Sequence, residues 1–126
     1  MDHHTNALSP AQWEVMECLW QAKSLTGREA TEIMEQKMGW NRSTTLTHLR
    51  RMEEKGIVKS GTEKGTKVFY PALSREDAVL RETESFLDRV YHGSISMMLS
   101  AMTKKQSLSQ SEIDALHALL DETEGN

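Results

Sequence analysis

The sequence is poor in the residues that cross-link or anchor a chain. Of its 126 residues, one is cysteine and two are proline. The single cysteine, Cys18, excludes an intrachain disulfide and a thiolate metal cluster built from one chain. No apolar run approaches the roughly 18 residues of a membrane span, and the amino terminus lacks the basic-then-apolar order of a secretion signal. We therefore expect a cytoplasmic protein with no membrane partner.

The common signatures of an enzyme are also missing. The chain has no glycine-rich phosphate loop, no His-Glu-x-x-His metal pair and no nucleophile beside an evident base. Cys18 has no neighbour that would stabilise a thiolate, so we interpret it as a small buried hydrophobe. Met97, Met98 and Met102, near His92, offer soft metal ligands, but methionine at helical spacing ordinarily serves as adaptable packing. We predict no enzymatic activity, no cofactor and no metal.

Charge is present but unevenly distributed. The whole chain has a net charge of −4, which taken alone disfavours a polyanionic partner. Residues 41–67, however, include seven basic and three acidic residues, so this segment has a net charge of +4. Residues 74–126 include five basic and ten acidic residues, a net charge of −5. The two halves are therefore expected to have different functions.

Three helix starts are marked by capping residues. Ser9 and Thr26 are each followed three positions later by glutamine or glutamate, as in a capping box, and Asn41 is a favourable N-cap. The first helix is expected to begin at Pro10, and the third to extend from Arg42 to Lys55. The apolar positions expected to be buried are Trp13, Met16, Leu19 and Trp20 in the first helix, Ile33, Met34 and Met38 in the second, and Leu46, Leu49 and Met52 in the third.

A hairpin is expected after the third helix. Two β-prone runs, Ile57-Val58 and Val68-Phe69-Tyr70, are joined by the polar, glycine-containing stretch from Gly61 to Thr66. Three short helices followed by such a hairpin, or wing, is the order of a winged helix-turn-helix. The predicted fold is thus mainly α with a small β-hairpin, and residues 1–73 are predicted to form a DNA-binding domain.

Residues 74–126 are predicted to form a helical dimerisation arm. Apolar residues recur there at helical spacing, with a break near Gly93 and a last helix capped by Ser109. Amphipathic helices appended to a small domain usually bury their apolar faces against a second copy, so we predict a symmetric homodimer. The residues assigned to the dimer contact are Phe86, Leu87, Val90, Tyr91, Met98, Leu99, Met102, Ile113, Leu116, Leu119 and Leu120.

The third helix has the side chains expected of a helix in the DNA major groove. Small polar and basic groups on its outer face are suited to contact base edges, and threonine is a mediocre helix former whose density here suggests another role. The predicted base contacts are Ser43, Thr44, Thr47, His48 and Arg51. Basic residues nearby are predicted to contact phosphates, which positions the protein without selecting a sequence: Arg42, Arg50, Lys55, Lys64 and Lys67.

The chain resembles the penicillinase repressor family, which includes methicillin-resistance and copper-responsive repressors. The resemblance covers nearly the whole sequence. It is carried by Ala11 to Trp20 (A-x-W-E-V-M-x-x-x-W), Trp40, Thr44, Thr47, Arg51, Lys55-Gly56, Val90-Tyr91-x-Gly93 and Leu108-Ser109-Gln110. It implies a homodimeric repressor that holds a palindromic double-stranded operator with TACA and TGTA half-sites and controls a resistance or homeostasis operon. In the family, residues at the positions of Ser43, Thr44, Thr47 and Arg51 approach the bases.

Two features of the family are absent. In β-lactam-responsive members a signalling protease cleaves an Asn-Phe bond in the arm, whereas this chain has Leu99-Ser100-Ala101-Met102 at the comparable place. Copper-responsive members carry carboxy-terminal Cys-x-Cys motifs, whereas this chain ends in Asp121 to Asn126. Release from DNA is therefore expected to involve a signalling protease of another preference or an unknown inducer. The alternative function is a winged-helix module that binds protein.

Overall fold

The fold follows the predicted order of three helices, a hairpin and a helical carboxy-terminal part. The computed structural model describes residues 7–105 and 108–124. Within those ranges the elements are α1 (Pro10–Ala22), β1 (Leu25–Thr26), α2 (Gly27–Met38), α3 (Arg42–Glu54), β2 (Val58–Glu63), β3 (Thr66–Pro71), α4 (Arg75–Tyr91), α5 (Ile95–Lys104) and α6 (Gln110–Glu124).

The first three helices begin where their capping residues predicted. The Ser9 hydroxyl accepts from the Gln12 backbone N–H at 3.1 Å, and the Gln12 side chain accepts in return from the Ser9 N–H at 2.9 Å. Thr26 forms the same reciprocal box with Glu29. Asn41 Oδ1 accepts from the Thr44 N–H at 2.8 Å. Each bond satisfies a backbone donor that the start of a helix would otherwise leave unpaired.

The wing is longer than predicted and belongs to a three-stranded sheet. The strand order is β1-β3-β2, and all pairs are antiparallel. Most of the stretch predicted as a connection, Gly61 to Thr66, is strand, because the turn is only Lys64 and Gly65, with φ of +50° and +78°. Two residues of positive φ form the tight turn whose twist matches a hairpin. Strand β1 was not predicted, because two residues are too few to show an alternating pattern.

The core lies between α1, α2, α3 and the sheet. Met16, Leu19, Met34, Leu49 and Met52 are almost completely buried. The predicted apolar stripes face this core, but several of their members are less buried than expected. Trp13 and Trp20 lie only partly buried at its edge while Val15 and Cys18 are buried, Thr45 is fully buried while Leu46 is only partly so, and Met38 is 41% exposed.

The indole of Trp20 ties α1 to the end of the wing. Its Nε1–H donates to the backbone carbonyl of Leu73 at 2.8 Å, and its ring packs edge-to-face against Trp13 with centroids 5.5 Å apart. The hydrogen bond satisfies the one polar atom of an indole whose apolar ring is otherwise half-buried at the edge of the core. This contact fixes the segment that follows β3 against the first helix.

The chain packs as two units, one ending at Ser85 and the other starting at Phe86. In the second unit, helices α5 and α6 follow the end of α4, which stops at His92 and Gly93 with positive φ. No described helix is both long and apolar enough to cross a bilayer. The functional division into residues 1–73 and 74–126 stays a prediction, since packing does not test it.

Candidate nucleic-acid interface

The orientation of α3 is set by three side chains on its inner face. Thr45, Leu49 and Met52 have no exposed surface. Thr45 is tolerated there because its hydroxyl donates to the Asn41 carbonyl at 3.2 Å. With this face buried, helical spacing places Ser43, Thr47 and Arg51 on the opposite face of α3, away from the core.

The predicted base-contacting residues divide into an outer group and a flanking one. Ser43 and Arg51 are exposed, and Thr44 and Thr47 are half-exposed. His48 instead lies on the flank of α3, where its ring stacks on Trp40 with centroids 4.5 Å apart and an interplanar angle of 16°. Spacing gave no signal for this stack, because Trp40 lies outside the helix and eight positions before His48. The role of these residues at DNA stays a prediction.

All five predicted phosphate-contacting residues are exposed. Arg42 is the first residue of α3, Arg50 lies on its third turn and Lys55 is its C-cap. Lys64 is in the wing turn, and Lys67 is on β3 with its Nζ 5.1 Å from the centroid of the Phe69 ring. In the ion pairs formed among described residues, none of the five takes part. Their exposed positions allow an anion to approach each charge from solvent.

One basic residue beside this group was not predicted from the sequence. Arg28, near the start of α2, lines a concave surface of about 500 Å³ together with Thr31, Glu32 and Arg42. Its Nε lies 3.4 Å from Glu32 Oε1, and both side chains are largely exposed. An exposed i,i+4 pair of this kind contributes little stability, about 0.3–0.5 kcal/mol. Arg28 lies between the two capping-box residues Thr26 and Glu29, so the sequence pattern there predicted only a helix start and not a DNA-contacting side chain.

Cys18 and Lys37 have perturbed pKa values for structural reasons. Burial raises the pKa of the Cys18 thiol, whose Sγ lies 3.9 Å from Met34 Sδ. This agrees with the interpretation of Cys18 as a small buried hydrophobe. A hydrogen bond to Glu14 raises the pKa of Lys37, with Nζ 2.9 Å from Glu14 Oε2. Both groups lie on the side of α1 and α2 that packs together, not on α3.

A metal site is not formed by histidine, cysteine or carboxylate side chains within the described ranges. Met97, Met98 and Met102 lie together on α5, where Met97 and Met102 are 53% and 41% exposed. Nothing in the structure tests whether they bind a soft metal, so the absence of a metal stays a prediction.

Comparison with known proteins identifies the family. The family model described as Penicillinase repressor matches residues 8–122. The methicillin resistance regulatory protein MecI of Staphylococcus aureus is 26% identical over 121 residues, which cover 96% of this chain and 98% of the relative. The penicillinase repressor of Bacillus licheniformis is 29% identical over 115 residues, which cover 91% of this chain and 90% of the relative.

A solved structure shows the same fold. A MarR family protein from Bacillus stearothermophilus matches with a TM-score of 0.50 and 21% identity, covering 98% of this chain and 78% of that one. The shared architecture is the winged helix-turn-helix with carboxy-terminal helices. The chain belongs to the penicillinase repressor family, whose members are DNA-binding transcription repressors and not enzymes.

Proposed function

We propose that this protein is a homodimeric, sequence-specific repressor that holds a palindromic operator in the cytoplasm. The observation that carries the proposal is the outer face of α3. Burial of Thr45, Leu49 and Met52 leaves Ser43, Thr47 and Arg51 facing outward on one helix. Hydroxyl, methyl and guanidinium groups are those that contact base edges in the major groove.

The remaining basic residues are suited to hold the DNA backbone. Arg42 and Lys55 lie at opposite ends of α3, and Lys64 lies at the tip of the wing. With α3 in the groove, charges at its ends and on the wing meet phosphates of the flanking backbone, which sets the register of the helix. Such contacts release counterions, so the affinity should fall steeply as salt rises.

The homodimer is supported by apolar side chains exposed in the second unit. Phe86, Val90, Met102, Leu119 and Leu120 are 40–59% exposed in the single chain. The other residues assigned to the contact, Leu87, Tyr91, Met98, Leu99, Ile113 and Leu116, are half-buried. A soluble chain rarely leaves so many large apolar groups on a short helical segment without a partner. A second copy would cover them and bring a second α3 to the other half-site.

The relatives suggest what is regulated. One is described as a methicillin resistance regulatory protein and another as a penicillinase repressor. We therefore propose that the controlled operon is one of β-lactam resistance or a related homeostasis function. Because the Asn-Phe pair is absent, a protease of another preference or a different inducer would end repression.

Three duplexes of equal length test the proposal: a TACA/TGTA palindrome, the same duplex with one half-site scrambled, and one with both scrambled. We expect the palindrome to bind roughly a thousandfold or more tightly than the fully scrambled duplex at physiological salt. The half-scrambled duplex should lie between them. Equal affinity for all three would refute specific recognition of this operator, and absence of binding at low salt would favour a protein partner instead.

A further inference from the structure

A cleft of about 370 Å³ lies beside α3, between this helix and the wing. Leu46, Arg50 and Glu53 line it from one flank of α3, where they recur at positions four and three apart. Lys67 and Phe69 line it from one face of β3, and Gly27 closes it at the start of α2. The volume lies at the lower end of the range for small-molecule sites, about 300–1,000 Å³.

The floor of the cleft is apolar. Phe69 is buried, and Leu46 is partly buried against the core. A Cβ added at Gly27 would lie 3.3 Å from Leu46 Cδ2, so the glycine allows α2 to approach this floor closely. Leu46 and Phe69 give the floor the apolar contacts that an aromatic ring favours, with Lys67 Nζ 5.1 Å from the centroid of the Phe69 ring.

The rim of the cleft is cationic. Arg50 and Lys67 are exposed, and neither takes part in an ion pair among the described residues. The carboxylate in the cleft is already engaged, because the Ser60 hydroxyl donates to Glu53 Oε2 at 2.6 Å. The cleft is thus lined by two cations and one carboxylate, whose charge the neutral Ser60 hydroxyl does not cancel, so its net positive charge favours an anionic group at the rim.

We propose that this cleft binds a small aromatic carboxylate, with its ring on Leu46 and Phe69 and its carboxylate between Arg50 and Lys67. The proposal rests on the proposed function in one respect: the same two cations are predicted to contact operator phosphates. A bound carboxylate would neutralise them and occupy the space beside α3. The ligand would therefore compete with DNA and act as an inducer that requires no cleavage of the chain.

Binding is tested first without DNA, with 2-naphthoate as the probe and amide NMR shifts of the full chain as the readout. We expect saturable shifts centred on Gly27, Lys67 and Phe69. The neutral 2-naphthamide and inorganic phosphate should bind much more weakly, because each lacks one of the two recognised features. Shifts centred elsewhere, equal binding of either control compound, or absence of saturable shifts at millimolar probe would overturn the proposal.

Substitutions at the exposed rim distinguish a specific binding site in the cleft from non-specific attraction of the anion to a positively charged surface. Arg50→Ala and Lys67→Ala should each weaken 2-naphthoate binding about fivefold or more, since each removes a charge-assisted hydrogen bond. Lys59→Ala is the matched control, because Lys59 is an exposed lysine of β2 that does not line the cleft. Equal loss in all three variants would contradict a specific site.

Competition with DNA is measured separately, by fluorescence anisotropy of a labelled TACA/TGTA duplex. 2-Naphthoate at a concentration that raises the apparent Kd of the wild type about tenfold should raise that of Lys67→Ala by about threefold or less, relative to the variant without probe. An unchanged Kd with a probe-saturated protein would overturn the inducer role. A protein that binds 2-naphthoate but no operator would contradict the proposed function and leave the cleft assignment standing.

Discussion

Arg51 and Lys64 are both exposed cations, but they lie on elements with different expected roles. Arg51 is on the outer face of α3, and Lys64 is in the wing turn. Arg51→Ala should cost about 1–3 kcal/mol of binding free energy for operator DNA and much less for a scrambled duplex. Lys64→Ala should weaken both about equally. Anisotropy titrations of the two variants on both duplexes measure this, and equal losses for Arg51→Ala would contradict its base contact.

Cys18 is expected to be unreactive in the folded protein. Burial raises its pKa above the ordinary value of 9.0, so the neutral thiol dominates at about pH 8. Iodoacetamide followed by mass spectrometry should show slow modification of the native chain and rapid modification in guanidinium chloride. Rapid labelling of the native protein would contradict the burial of this thiol.

The same raised pKa has a consequence for stability. The folded state holds the Cys18 proton more tightly than the unfolded state does, so this contribution is complete below pH 9.0. It is lost as the pH rises through the higher folded pKa. Replacement by serine or alanine should therefore reduce the alkaline fall in the free energy of unfolding, which urea titrations across that range measure. An identical alkaline fall would contradict the assignment.

At the scale of elements, the sequence predicted helix starts better than the depth at which individual side chains are buried. The starts of α1, α2 and α3 were predictable because the side chains of Ser9, Thr26 and Asn41 accept hydrogen bonds from backbone N–H groups three residues later. These bonds do not depend on the rest of the fold. How deeply each side chain of α3 is buried depends instead on the position of the sheet, so Thr45 is fully buried while Leu46 is only partly buried against the core. Strand β1 exists only because β3 offers it a partner.

The candidate site was predictable to a similar extent. The outer position of Ser43, Thr47 and Arg51 followed from the spacing of buried residues along α3. The stack of His48 on Trp40 and the cleft that Arg50 and Lys67 both line did not, because each involves residues outside the turn of helix that the spacing describes. Helical periodicity gives directions within one helix but no distances to its neighbours.

Asn41 tests the contribution of a single cap to α3. Asn41→Ala removes the oxygen that accepts from Thr44 N–H and should lower the free energy of unfolding by about 1 kcal/mol. Asn41→Ser is the matched control, because it keeps an accepting oxygen and should cost only a few tenths of a kcal/mol. Urea midpoints compare the variants, and equal midpoints would show that the cap contributes nothing.

For the molecule as a whole, two segments of opposite charge have different expected roles: residues 41–67, with a net charge of +4, and residues 74–126, with a net charge of −5. The basic segment contains α3 and the wing, while the acidic part contains the helices with exposed apolar residues. This difference in charge favours DNA as the partner of the basic segment and a second copy as the partner of the acidic one. The homodimer itself stays a prediction, because a single chain contains no partner.

Leu120 offers a test of that dimer. Leu120 is 59% exposed on α6, so Leu120→Glu should leave the single chain folded but place a charge in the predicted contact. Sedimentation velocity should show a dimeric wild type at micromolar concentration and a monomeric variant. Ala118→Glu is the control, because Ala118 is exposed on the opposite face of α6 and its variant should stay dimeric. A monomeric wild type would contradict the proposal.

The central claim is that α3 recognises the operator from the major groove, and base analogues test it most directly. Each TACA/TGTA half-site has one G·C pair. In it, 7-deazaguanine removes the N7 acceptor of the major groove, and inosine removes the amino donor of the minor groove. We predict that 7-deazaguanine in both half-sites weakens binding at least tenfold, whereas inosine changes it by less than twofold. A loss with inosine and none with 7-deazaguanine would contradict major-groove recognition by α3.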